Sequence, residues 1–368
     1  MKRYDVFIVG AGFAGSVMAE RIASQLDKKV LLVEKRKHIA GNAYDEYEEN
    51  GILVHRYGPH IFHTNSKDVL EYLTKFSEWR KYEHEVLAFY KNDYFPIPIN
   101  RITLNKIYNL NLQTDAEVEN IFSAVREKRY PILNSEDAIV NQVGTELFKI
   151  FFENYTFKQW NKYPKELSPS VCGRIPTRFN NDCRYFTDKY QFMPKDGYTK
   201  LFERMLDHKN IEVILNTDYK NIISEISFDK MIYTGPIDYF FDYIYGKLPY
   251  RSIRFEFENH DLEYYQKCAQ INYVEESVKY TRVVEHKSLS GQKISNTIIS
   301  REYPQFNGEP FYPILTEENR SIFKRYEQEA VKQKNVVFCG RLAEYRYYNM
   351  DQVVANTLKK FELMINGK

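Results

Sequence analysis

Apolar residues recur along this chain with two different periods, and the change from one to the other marks out its elements. Asp5–Val9 is a short run of β-branched and aromatic residues that stops at Gly10-Ala11-Gly12. From Ala14 to Leu26 the apolar residues Val17, Met18, Ile22 and Leu26 fall on one helical face. Asp27-Lys28-Lys29 interrupts the pattern, and Val30–Val33 is a second apolar run closed by Glu34. Strand, helix and strand within about thirty residues predict a right-handed βαβ unit with parallel strands.

The helical period returns over Ser66–Phe76, where Val69, Leu70, Leu73 and Phe76 are apolar. Glu85–Tyr90 and Tyr94–Ile97 predict a hairpin around Asn92-Asp93. Between about residues 100 and 158 the period is again helical. Thr114 and Glu117 form a capping box ahead of Val118, Ile121, Phe122 and Val125, and another helix is expected from Ser135 past Phe148. Short strands follow at Ile211–Leu215 and Met231–Tyr233. Alternation over 250–312, with runs at 252–257, Ser277–Glu285 and Thr297–Tyr303, predicts antiparallel sheet. Val336–Cys339 reads as a last buried strand and Met350–Ile365 as a C-terminal helix.

These elements predict an α/β protein: a Rossmann-like cofactor-binding domain, an inserted helical domain and an antiparallel β-sheet substrate domain. The expected boundaries are discontinuous. Residues 1–80, 190–240 and 330–368 form the cofactor domain, 81–165 the helical insertion, and 166–189 with 241–329 the sheet.

Composition narrows the function. The 368 residues carry 52 basic and 50 acidic side chains, a net charge of +2, which argues against a nucleic-acid partner. The four cysteines have no C-x-x-C spacing and are too few in a chain of this size to make a disulfide scaffold, so a reducing, cytoplasmic setting fits. No stretch of about 18 apolar residues offers a membrane span, and the short apolar start ends too soon for a signal peptide. Aromatics are abundant, with 31 Tyr and 25 Phe, enough to line a pocket that stacks on a ring.

Gly10-Ala11-Gly12-Phe13-Ala14-Gly15 follows a strand and opens a helix. Gly10 permits the tight turn, Gly12 lets a pyrophosphate approach the backbone, and Gly15 lets helix and strand pack closely. Glu34, at the end of the next strand, is placed to accept from a ribose 2′-hydroxyl. The charged, glycine-containing stretch Glu34–Asp45 lies where a flavin fold lays an extended loop against its cofactor. Gly340 and Arg341, after the last strand, match the late glycine element that completes many FAD sites. His60 and His63 invite a metal reading, but no nearby cluster supplies further ligands, so no metal is expected.

Five separated motifs resemble the bacterial UDP-galactopyranose mutase family: 57–64, Tyr155–Trp160, 174–179, 280–286 and 340–345. The resemblance spans essentially the whole chain. It implies an isomerase that interconverts UDP-galactopyranose and UDP-galactofuranose for galactofuranose-containing cell-surface glycans. Galactose and N-acetylgalactosamine nucleotides both remain open as substrates. The implied cofactor is FAD, active when reduced, with flavin N5 as nucleophile on the anomeric carbon. A homodimer is implied as well. Lys35, Asn42, His60, Gly340, Arg341 and Met350 would join Gly10, Gly12, Gly15 and Glu34 around the cofactor. Phe151, Phe152, Tyr155, Thr156 and Trp160 would hold the uridine, with Tyr155 stacked on uracil. Tyr185, Tyr312 and Tyr347 would donate to the phosphates. Arg174, Arg282 and His63 would be catalytic, the two arginines on the diphosphate and His63 against flavin and sugar. Asn349 stands where the family often has Asp. A flavin oxidoreductase on the same fold is the alternative, because fold alone does not fix chemistry.

Overall fold

A computed structural model describes residues 2–173 and 175–367 of the chain. At its centre five parallel strands lie in the order Ile211–Ile214, Val30–Val33, Val6–Val9, Lys230–Tyr233, Val336–Phe338. Val6–Val9 and Val30–Val33 are almost entirely buried, as strands covered on both faces must be. Helix Phe13–Leu26 packs over this sheet with Val17, Met18, Ile22 and Ala23 inward, and the last helix, Met350–Ile365, lies against it. The expected βαβ unit is therefore present, within one residue at each boundary.

A seven-stranded sheet forms the second layer. Its order is Tyr312–Pro313, Tyr250–His260, Thr297–Gln305, Arg282–Glu285, Gln270–Tyr273, Val86–Tyr90, Asp93–Ile97. Every neighbouring pair is antiparallel except Gln270–Tyr273 with Val86–Tyr90, which run parallel. The hairpin expected within 81–165 thus sits in this sheet, and the purely helical part of that segment begins at Arg101. Its turn is made by Lys91 and Asn92, both left-handed at φ 48° and 62°, the geometry that matches strand twist. Ser277–Glu285 was expected to be extended throughout. Only Arg282–Glu285 is strand; the residues before it turn inward around a lysine, described below.

Helices Arg101–Tyr108, Asp115–Val125 and Ser135–Phe148 pack together against the Val86–Tyr90 and Asp93–Ile97 end of the seven-stranded sheet. The second carries the expected capping box. Ser135–Phe148 runs on through a π-helical stretch, Lys149–Glu153, into helix Asn154–Trp160. The wider turn rotates the aromatic side chains that follow, and such π segments often accompany functional sites. Two longer helices, Tyr198–Leu206 and Glu317–Lys332, and three short ones, Tyr219–Ile222, Ile237–Phe240 and His286–Ser290, have no counterpart in the predicted elements. A three-stranded antiparallel sheet, Phe62–Thr64, Tyr190–Pro194 and Trp79–Lys81, joins the layers. Among the described residues no helix is long and apolar enough to cross a membrane.

Candidate active site

The larger cavity, about 790 Å³, opens at the C-terminal ends of the parallel strands. Gly10 takes φ +100°, and a Cβ there would lie 2.2 Å from Thr234 Oγ1. A Cβ on Gly15 would lie 1.8 Å from the Gly10 carbonyl oxygen, so only glycine lets the helix approach the turn. Gly12 differs: a Cβ there meets only Gly41 Cα, at 3.8 Å, because its α-carbon faces the cavity. The N-terminus of helix Phe13–Leu26 begins beside that space, which suits a pyrophosphate. The buried Glu34 carboxylate accepts from the Ala11 N–H at 2.8 Å and the Arg36 N–H at 3.0 Å, and it forms part of the cavity wall. These observations fit an extended dinucleotide.

Of the residues expected around a cofactor, Gly10, Gly12, Glu34, Lys35, Asn42, His60, Gly340, Arg341 and Met350 line this cavity. Gly15 serves packing instead. Lys35 Nζ is paired with Glu309 at 2.9 Å, and Arg36 reaches the same carboxylate at 3.2 Å, so a loop from the antiparallel sheet is strapped across the mouth. Arg36 also donates to Asn42 Oδ1 at 2.9 Å. His60 Nδ1 bonds the Gly58 carbonyl at 2.9 Å, and burial pushes its imidazole down to about 3, keeping it neutral. His63 lines neither this cavity nor the next. Its Nδ1 contacts Asp188 at 2.8 Å and its ring stacks on Phe186, with centroids 3.6 Å apart.

The second cavity, about 100 Å³, lies between helix Asn154–Trp160 and the seven-stranded sheet. Phe151, Phe152, Tyr155, Thr156 and Trp160 form one wall, the last three on one helical face. Tyr185, Arg282, Tyr312 and Tyr347 complete it. Arg174, expected beside them, lies outside the described residues. Opposite the helix, Asn272 pairs in register with Arg282, and Gln270 donates to Asn272 Oδ1 at 2.9 Å.

Arg282 is fixed from behind by Glu302, its register partner on the next strand. Its Nε donates to Glu302 Oε2 at 2.7 Å, and a second guanidinium nitrogen reaches the same oxygen. Burial opposes the charge on Arg282, but the Glu302 carboxylate outweighs it and holds the guanidinium well above its ordinary value. Glu302 is fully buried, its carboxyl raised by that burial and partly restored by Arg282. The arginine therefore stays charged at any working pH.

The two cavities meet at Arg341. It lines the first, and its guanidinium lies 5.6 Å from the ring centroids of both Tyr312 and Tyr347, which line the second and stack on each other at 5.5 Å. Burial raises the Tyr312 phenol, so it remains a hydrogen-bond donor. Asn349 is the N-cap residue of the last helix, with its own N–H donating to Gln352 Oε1 at 3.0 Å.

Four polar residues of the second site escaped the sequence reading: Gln159, Gln270, Asn272 and Glu302. Gln159 was within reach, being one helical turn from Tyr155 and Thr156. It is 9% exposed and its Oε1 has no hydrogen-bond partner among the described residues. The other three depend on strand register, which no local pattern reveals.

Fold and site together define a dinucleotide-dependent enzyme of the Rossmann-like class, with a separate aromatic and arginine-lined pocket abutting the cofactor cavity. Residues 8–76 match the NAD(P)-binding Rossmann-like domain model, and residues 150–347 match the UDP-galactopyranose mutase model. A dTDP-fucopyranose mutase from Escherichia coli is 36% identical, over 98% of each chain. A UDP-galactopyranose mutase from Mycoplasma pneumoniae is 33% identical, over 99% of this chain and 96% of its own. A crystal structure of reduced UDP-galactopyranose mutase superposes with a TM-score of 0.77 at 16% identity, covering 99% of this chain and 94% of that one, and shows the same fold. The chain belongs to the UDP-galactopyranose mutase family and is an isomerase.

Proposed function

We propose that this protein interconverts UDP-galactopyranose and UDP-galactofuranose on bound, reduced FAD, supplying furanose units for cell-surface glycans. The observation that carries this reading is the convergence of nine residues from five separate segments on one cavity that touches the dinucleotide site through Arg341. Residues 1–80, 190–240 and 330–368 would form the cofactor domain, working in the cytoplasm as part of a homodimer.

When bound and reduced, the flavin supplies a nucleophilic N5 to the anomeric carbon. The chain does the rest. Tyr155 stacks on the uracil, and Phe151, Phe152 and Trp160 exclude water around it. The bond from the anomeric carbon to the diphosphate breaks and later re-forms, so negative charge grows on the departing UDP. Arg282, held charged by Glu302, meets that charge with Arg174, while Tyr185, Tyr312 and Tyr347 donate to the phosphate oxygens. His60 is a neutral cavity group, and Met350 begins a helix whose N-terminus faces the cofactor cavity. His63, paired with Asp188, would act on flavin and sugar only after turning from its present contacts.

A second substrate reading, dTDP-fucopyranose, is favoured by the 36% identity to the mutase named for it. Uracil and thymine present the same imide edge, and the N-acetylgalactosamine nucleotide is a third candidate. Dithionite-reduced protein should convert UDP-galactofuranose to the pyranose by chromatography, while oxidised protein should not. Parallel incubations with dTDP-fucopyranose and the N-acetylated nucleotide rank the substrates. No furanose–pyranose conversion of any of them by the reduced holoenzyme overturns the reading. Stoichiometric consumption of oxidant would favour a flavin oxidoreductase.

A further inference from the structure

Lys158 lies in the helix that forms one wall of the second cavity, between Tyr155 and Trp160, yet it is absent from the cavity lining. Its ammonium points the other way, into the turn joining strands Gln270–Tyr273 and Arg282–Glu285. There Nζ donates to four backbone carbonyls: Tyr273 at 2.6 Å, Glu275 at 2.9 Å, Val278 at 2.9 Å and Tyr280 at 3.2 Å. Among the described residues no carboxylate bonds this ammonium; the turn wraps it in carbonyl oxygens. Three N–H groups serve four acceptors, so the turn is gathered around one point.

The two ends of that turn carry cavity residues. Asn272 and Val274 stand at its start and Arg282 at its finish, all lining the second cavity. Tyr155, Thr156, Gln159 and Trp160 line it from the helix. A single side chain thus ties the two walls together from behind. Arg251 anchors the same helix end independently, donating from Nε to the Gln159 carbonyl at 2.9 Å. With the helix held there, Lys158 joins it to a turn that the Tyr273 N–H closes on the Thr281 carbonyl at 2.9 Å.

We propose that Lys158 is a positioning residue: its ammonium locks turn 274–281 to helix Asn154–Trp160 and so sets the gap in which the nucleotide is held. The proposal rests on the reading of this cavity as the nucleotide site. Burial pushes the Lys158 ammonium down to about 8, with the nearby Glu275 carboxylate opposing the shift. Arginine carries a charge at that point without titrating, though it spreads its donors over a plane.

The test uses flavin-loaded full-length protein and UDP as probe, followed by Trp fluorescence, with turnover of the nucleotide sugar measured alongside. Lys158→Met keeps the apolar stem and removes every donor. It is expected to retain bound flavin, to weaken UDP binding and raise KM by about tenfold or more, and to keep kcat at saturation within about twofold. Lys158→Arg should recover at least half of the lost affinity on a logarithmic scale. UDP affinity in folded Lys158→Met within twofold of wild type overturns the proposal, as does an equal loss of kcat with unchanged KM. If Lys158→Met does not yield folded holoprotein, Lys158→Gln takes its place under the same criteria. Wild-type protein that fails to bind UDP at all strikes the nucleotide reading. Wild type that binds UDP alongside a folded variant that binds it equally strikes only the role of Lys158.

Discussion

Replacing Arg282 with Met should uncouple stability from activity, and the cause is Glu302. The methionine fills much of the arginine's volume, but it leaves Glu302, fully buried, without the cation that accepts its charge. Its Oε1 already has no hydrogen-bond partner among the described residues, and the substitution removes the partner of Oε2 as well. Breaking one side of a buried ion pair costs about 3–5 kcal/mol. At about 2 °C per kcal/mol for a chain of this size, that lowers Tm by about 6–10 °C at neutral pH. The deficit depends on pH with a definite sign. Burial already raises the Glu302 carboxyl, and losing Arg282 removes the main influence that lowers it. Above the unfolded carboxyl value of about 4.3 the native variant binds more protons than the unfolded chain. Stability relative to wild type therefore falls as pH rises from there, by at most about 1.4 kcal/mol per unit. Melting curves of both proteins between pH 5 and 8 measure this directly. The double variant Arg282→Met/Glu302→Gln should recover most of the loss while turnover stays abolished. Melting of the single variant within about 1 kcal/mol of wild type across that range, or no recovery in the double variant, refutes the reasoning.

Gly15→Ala places a methyl 1.8 Å from the Gly10 oxygen, so helix and turn must separate; the expected result is purified protein with little bound flavin by absorbance, destabilised by about 1–3 kcal/mol. Gln159→Leu removes a buried acceptor that the uracil imide would satisfy, and UDP titration should show about tenfold weaker binding with normal flavin content. Glu309→Gln loosens the strap to Lys35 and Arg36; because that carboxylate is 44% exposed, flavin dissociation followed by fluorescence should accelerate only about two- to fivefold, and the difference should vanish in high salt.

The chain's first forty residues were legible because everything that shapes them is local. A glycine turn, a helical stripe from Val17 to Leu26 and a β-branched run at Val30–Val33 each depend on neighbours within a few residues. The Thr114–Glu117 capping box and the Asn92 turn are legible for the same reason. Helix Tyr198–Leu206 shows the other case. Its apolar positions are well spaced, but its N-terminal donors are satisfied by Asp45, whose two oxygens each accept at 2.7 Å from Tyr198 and Thr199. No local cap announces it. Helix Glu317–Lys332 fully buries only Asn319 and Tyr326; its apolar stripe, Ile322, Phe323, Tyr326 and Ala330, is short and set among many charged residues.

The site divides along the same line. Sequence alone determined the dinucleotide turn, the acid that follows it, and an aromatic helix end able to hold a flat ring, because each is a contiguous segment with its own chemistry. Tertiary structure decided which distant residues share a wall. It paired Asn272 with Arg282, set Glu302 behind that arginine, and swung His63 onto Asp188 and Phe186 rather than into either cavity. It also folded turn 274–281 around Lys158 where alternation had suggested strand. Register and long-range hydrogen bonds are properties of two segments at once, and a one-dimensional pattern carries information about only one.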